Sequence, residues 1–70
     1  MEQIGKKLKT LRLRHSLTTR QLAEYLETTN SQISRIENGL RQPSGDLIVK
    51  MADFFNIPLD KLMRDELDLD

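Results

Sequence analysis

Seventy residues with 11 Lys and Arg, 11 Asp and Glu, and no Cys describe one small domain, which buries only about 60% of the surface its unfolded chain exposes. The missing cysteines exclude a disulfide framework and a thiolate metal site, leaving dimerisation as the remaining aid to stability. A net charge of zero argues at first against a nucleic-acid partner, which usually demands surplus Lys and Arg.

Ile4, Leu8 and Leu11 recur at helical spacing with charged residues between them, which predicts an amphipathic first helix over residues 2–14, broken at His15-Ser16. Thr18 stands three places before Gln21, a capping-box spacing in which each side chain bonds the other residue's backbone N–H. A second helix over about 19–26 follows, with Leu22, Ala23 and Leu26 inward. The same spacing at Thr29 and Gln32 starts a third helix over about 30–38, which Asn38-Gly39 ends by supplying a residue that tolerates positive φ. Two or three residues between these helices make a tight αα corner, and Ala23 is small enough for the crossing. After a loop from Leu40 to Pro43, Ser44 caps a fourth helix over roughly 45–55, with Leu47, Ile48, Met51, Ala52 and Phe55 as its apolar positions and Asn56 as its end. Pro58 opens a short fifth helix carrying Leu59, Leu62 and Met63. With no strand alternation or repeat, the expected fold class is all-α, five short helices.

The charge is unevenly placed. All 11 basic residues lie within residues 1–64 against only seven acids, a surplus of four; the remaining acids are Asp65, Glu66, Asp68 and Asp70. The expected organisation is a mildly basic domain over 1–64 and an acidic tail over 65–70. That tail is a solvated end that frays or, through Leu67 and Leu69, a docking strip or a guard against non-specific DNA. Lys6, Lys7 and Lys9 precede no signal-peptide-like apolar segment, and no run nears the roughly 20 apolar residues of a membrane span. A soluble, cytoplasmic protein with no membrane partner is expected.

The third helix carries the functional signal. Ile33 and Ile36 share one face, and the opposite face holds Asn30, Ser31, Ser34, Arg35 and Asn38. Lys and Glu would serve better on a merely solvated helix, whereas short amides, hydroxyls and one Arg suit base edges. The major groove admits one α-helix; Asn pairs bidentately with adenine and Arg with guanine, each worth ~1–3 kcal/mol of discrimination. An ordinary polar helix face is the alternative.

From Thr18 through Gly39 the sequence TTRQLAEYLETTNSQISRIENG resembles the Cro/C1-type, phage-repressor-like helix-turn-helix of the XRE family. The likeness rests on Leu22-Ala23, Ile33, Ile36 and the closing Ile36-Glu37-Asn38-Gly39. It extends upstream through Ile4, Leu8, Leu11 and Arg12, and downstream through Arg41-Gln42-Pro43-Ser44 and Ile57-Pro58-Leu59-Asp60-Lys61-Leu62, about residues 3–64 in all. The resemblance implies a lambda-repressor-like domain with its helix-turn-helix at the second and third helices, binding double-stranded DNA.

Carried over position by position, the resemblance implies that Thr29, Asn30, Ser31 and Arg35 face base edges. Thr19, Gln32, Ser34, Asn38 and Arg41 would contact phosphates or sit near them, fixing register while the bases fix sequence. It also implies a structural ion pair between Arg12 and Glu37, and pairing of two copies through the C-terminal helices at Phe54, Ile57, Leu59 and Met63. Two positions depart from the pattern: Glu27 stands where many members have Gly in the turn, and Pro58 replaces a Ser or Thr before the last helix. Tyr25, Phe54 and Phe55 are too few and scattered for a base-stacking platform, and His15 reads as a turn residue near the DNA backbone at most. No nucleophile-base set, phosphate loop or metal cluster is legible, so no enzyme activity, metal or cofactor is expected. The expected function is a dimeric transcriptional regulator, a repressor reading a palindromic operator. An antitoxin or adaptor on the same fold is the alternative.

Overall fold

The computed structural model describes residues 3–69 and places five helices among them: α1 Ile4–Arg14, α2 Thr19–Tyr25, α3 Asn30–Glu37, α4 Gly45–Phe55 and α5 Leu59–Met63. The chain is all-α in the expected order. A helix start at residue 2, like Asp70 of the tail, lies outside the described residues. α2 and α3 end one residue before the expected limits, because Leu26 and Asn38 already take cap conformations. Four residues rather than two or three therefore separate the two helices. α5 begins at Leu59, with Pro58 as its cap residue and no side-chain capping bond.

Each start follows its local chemistry. Thr18 Oγ1 accepts the Gln21 N–H at 3.0 Å and Gln21 Oε1 accepts the Thr18 N–H at 2.9 Å, a complete capping box. Thr29 Oγ1 accepts the Gln32 N–H at 3.1 Å and Ser44 Oγ the Leu47 N–H at 3.2 Å. At the third helix only the threonine half of the expected box is formed.

The ends of α1 to α4 share one device. Leu17 N–H reaches Arg12 O, Thr28 N–H reaches Ala23 O, Leu40 N–H reaches Arg35 O and Ile57 N–H reaches Ala52 O, the long bond of a Schellman turn. The left-handed seat in these turns is held by Ser16 (φ 55°), Glu27 (φ 57°), Gly39 (φ 75°) and Asn56 (φ 55°). Glu27 thus keeps the turn that Gly makes in similar sequences.

α3 packs against both α1 and α2, and α5 against α4 and α1. All five helices feed one core, with Leu8, Leu22, Ile33, Met51 and Leu62 fully enclosed. α1 approaches α3 so closely at Gly5 that a Cβ there would stand 2.2 Å from the Ile36 carbonyl oxygen. Lys7 sits on the apolar stripe of α1 and is buried, its ammonium donating to Lys61 O at 2.6 Å and Arg64 O at 2.7 Å. A cation there completes the exposed carbonyls at the end of α5 and matches that end's partial negative charge.

Residues 65–69 do not project as a fraying end. Asp65 Oδ1 accepts the Gln3 N–H at 2.9 Å and Leu69 packs against the core. The exposed Glu66 carboxyl is held below its usual range by its own backbone N–H and by Arg64 Nε at 2.8 Å. No helix among the described residues is long and apolar enough to cross a membrane.

Candidate nucleic-acid interface

α2 and α3 cross through Leu22, Ala23, Ile33 and Ile36, all buried, which fixes which face of α3 points outward. On that face Thr29, Asn30, Ser31, Ser34, Arg35 and Asn38 are exposed together. Ala23 is buried, and its carbonyl accepts the Thr28 N–H of the turn between the two helices.

Asn30 is not isolated. The Thr19 hydroxyl, at the first position of α2, donates to Asn30 Oδ1 at the first position of α3. One lone pair of that oxygen and both amide hydrogens stay available, so the Asn30 side chain is oriented without being consumed. One turn further on, Asn38 Nδ2 donates to Ser34 Oγ at 3.4 Å. Gln32 is half-buried on the flank of α3, in a crevice with Thr28, Arg41 and Lys50. The expected phosphate-side residues therefore fall in three places: Thr19 beside Asn30, Ser34 with Asn38, and Gln32 with Arg41.

Glu37, the sole acid of α3, is removed from that face. Arg12 Nε donates to its Oε2 at 2.7 Å and Nη2 to its Oε1 at 3.0 Å, while Nη1 donates to Leu17 O at 2.9 Å. The side chains are 12% and 5% exposed. Hydrogen bonding and charge attraction from Glu37 raise the Arg12 pKa above the ordinary arginine value against the opposing effect of burial, so the guanidinium stays charged. With Glu37 neutralised inside, the outward face of α3 carries Arg35 and no negative charge.

Local sequence patterns did not reveal Gly5, Lys7 or the aromatic cluster. Tyr25 and Phe54 stack with centroids 4.9 Å apart, Phe54 meets Phe55 at 5.0 Å, and the His15 ring lies 5.0 Å from Phe55. The three aromatics are thus gathered rather than scattered, and His15 packs on them with Nδ1 2.9 Å from Leu11 O. Their separation in sequence hid this. Lys7 had a signal: it is three residues after Ile4 and four before Leu11, on the apolar stripe. Of the four apolar residues at the C-terminal helices, Phe54 is 37% exposed and Leu59 and Met63 are each 40% exposed, whereas Ile57 is half-buried and packs on the core.

A helix-turn-helix family model matches residues 8–62, most of the chain. The chain belongs to the Cro/C1-type helix-turn-helix family. Within this family it is 44% identical over 64 residues to the HTH-type transcriptional repressor RghR of Bacillus subtilis, covering 90% of this chain and 47% of that protein. It is 32% identical over 65 residues to the HTH-type transcriptional regulator ImmR of the same organism, covering 91% of this chain and 51% of the relative. The chain spans about half the length of these curated relatives. The fold also matches the crystal structure of Bacillus thuringiensis PlcR in complex with the peptide PapR7 and DNA. That likeness has a TM-score of 0.82 at 31% identity and covers 100% of this chain and 25% of that one. In the Cro/C1-type motif of this chain, α2 and α3 are its two helices and residues 26–29 its turn.

Proposed function

We propose that this chain is the DNA-binding part of a transcriptional regulator, a repressor that inserts α3 into the major groove of double-stranded DNA. The observation that carries the reading is the exposed, acid-free face of α3, where Thr29, Asn30, Ser31 and Arg35 stand together on a rigid corner. These four read base edges, and Asn30, steadied by Thr19, and Arg35 have the side chains suited to adenine and guanine. Thr19, Gln32, Ser34, Asn38 and Arg41 bind or border phosphates. Likeness to the repressor RghR and to the PlcR structure in complex with DNA supports the reading of a DNA-binding regulator. The α3 face also lacks the aromatic and aliphatic anchors that a protein-binding helix would present.

Two copies act together, pairing about a two-fold axis through Phe54, Ile57, Leu59 and Met63, and reading a palindrome whose half-sites lie about one helical turn apart. Selection of bound duplexes from a random library, with the solution mass measured in parallel, tests both halves. A two-fold symmetric site and a dimeric mass are expected; an unenriched library would refute the reading. Arg35→Ala should relax preference at one base position per half-site, worth ~1–3 kcal/mol, while leaving the salt slope almost unchanged.

A further inference from the structure

α1 carries no side-chain cap of its own and no acid in its first turn. Its N-terminal N–H at Gln3 is instead met by Asp65, 62 residues away in sequence. The exchange is mutual. Lys7 of α1 closes the carbonyls of Lys61 and Arg64 at the root of the same segment. Leu69 then packs against the core, and Leu67, Asp68 and Leu69 lie along a groove of about 580 Å³ whose other wall is Lys6, Thr10 and Arg14 of α1. The residues that wall this groove come from α1, its cap residue Gln3 and residues 65–69 alone, with none from α2 or α3.

α1 is also the element that braces α3 from behind. Gly5 abuts the Ile36 carbonyl and Arg12 holds Glu37, so two contacts about two turns apart along α1 fix the C-terminal end of α3. We infer that residues 65–69 are a strap that clamps α1 and, through α1, steadies α3, so that strap and groove-facing helix loosen together while α4 stays put. Because coupling is reciprocal, any ligand that orders α3 tightens the strap, and anything that draws the strap off α1 weakens the hold on α3.

The test needs no DNA and so stands apart from the proposed function. Amide and methyl relaxation dispersion is recorded on the full chain and on its Asp65→Ala/Leu69→Ala variant, with Leu69→Ala alone as the milder form should the double variant unfold. The expected result is a minor state whose population rises about fivefold or more, the size that follows from losing one helix cap and one half-buried Leu. Its exchange should appear with one rate constant at Leu8, Ile33 and Ile36 and be absent at Met51 and Ala52 of α4. Exchange confined to residues 65–69, exchange spread evenly over all five helices, or no new exchange would each overturn the inference.

Discussion

Gly5 and Gly45 both sit in helices, and helix propensity alone assigns them the same response to alanine. Their surroundings reverse one of the signs. At Gly45, the first residue of α4, a Cβ meets nothing within 4 Å, so Gly45→Ala should stabilise the fold by about 0.5 kcal/mol through the unfolded chain's lost freedom. At Gly5 the new methyl would collide with the Ile36 backbone oxygen. Separation of α1 from α3 should cost about 2 kcal/mol or more despite better propensity. Urea melts of the two variants check the opposite shifts in midpoint. The ion pair makes a sharper case. Arg12→Met keeps the stem but strands the nearly buried Glu37, for an expected loss of about 3 kcal/mol. Arg12→Met/Glu37→Met should recover much of that loss, and a double variant worse than the single one would show the site to be limited by packing instead. That these two residues pair follows in the sequence only from likeness to similar domains; nothing in their spacing announces contact across 25 positions.

At the scale of single helices, starts were legible and stops only half so. Thr18, Thr29 and Ser44 declare their helices because a capping bond is local, made between residues three apart. The first four stops depend on one left-handed residue each, and Gly39 and Asn56 are types that favour that seat, whereas Ser16 and Glu27 are not. Ser16 holds its conformation because Leu17 N–H and the Arg12 carbonyl close the turn around it. Ser16→Gly should therefore relieve strain and stabilise by up to about 1 kcal/mol. For a chain of this size that raises the melting temperature by roughly 4–8 °C. Calorimetry that found a loss would mean that the Ser side chain makes a contribution of its own.

Across the whole molecule, the core and its five-helix order were readable because apolar residues repeat at helical spacing in every segment. The long-range ties were not: Asp65 to Gln3, Lys7 to the end of α5, and the meeting of His15, Tyr25 and Phe54 have no short-range signature. Those ties also show how a chain of zero net charge keeps the outward face of α3 free of acids. Among the described tail acids, Asp65 and Asp68 share a groove with Lys6 and Arg14 of α1 and Glu66 pairs with Arg64, while the acid of α3 is folded onto Arg12. Arg35 and Arg41 remain exposed on the side of the motif. Since the slope of binding against salt counts the phosphates neutralised by cations, Arg41→Ala should lower that slope by about one, uniformly over sequences. Asp68→Asn should leave it unchanged, because that carboxylate is placed along α1 rather than over α3. A steeper slope in Asp68→Asn, measured on non-specific duplex between low and moderate salt, would mean that the tail competes with DNA for the cations, the guard role that its placement on α1 argues against.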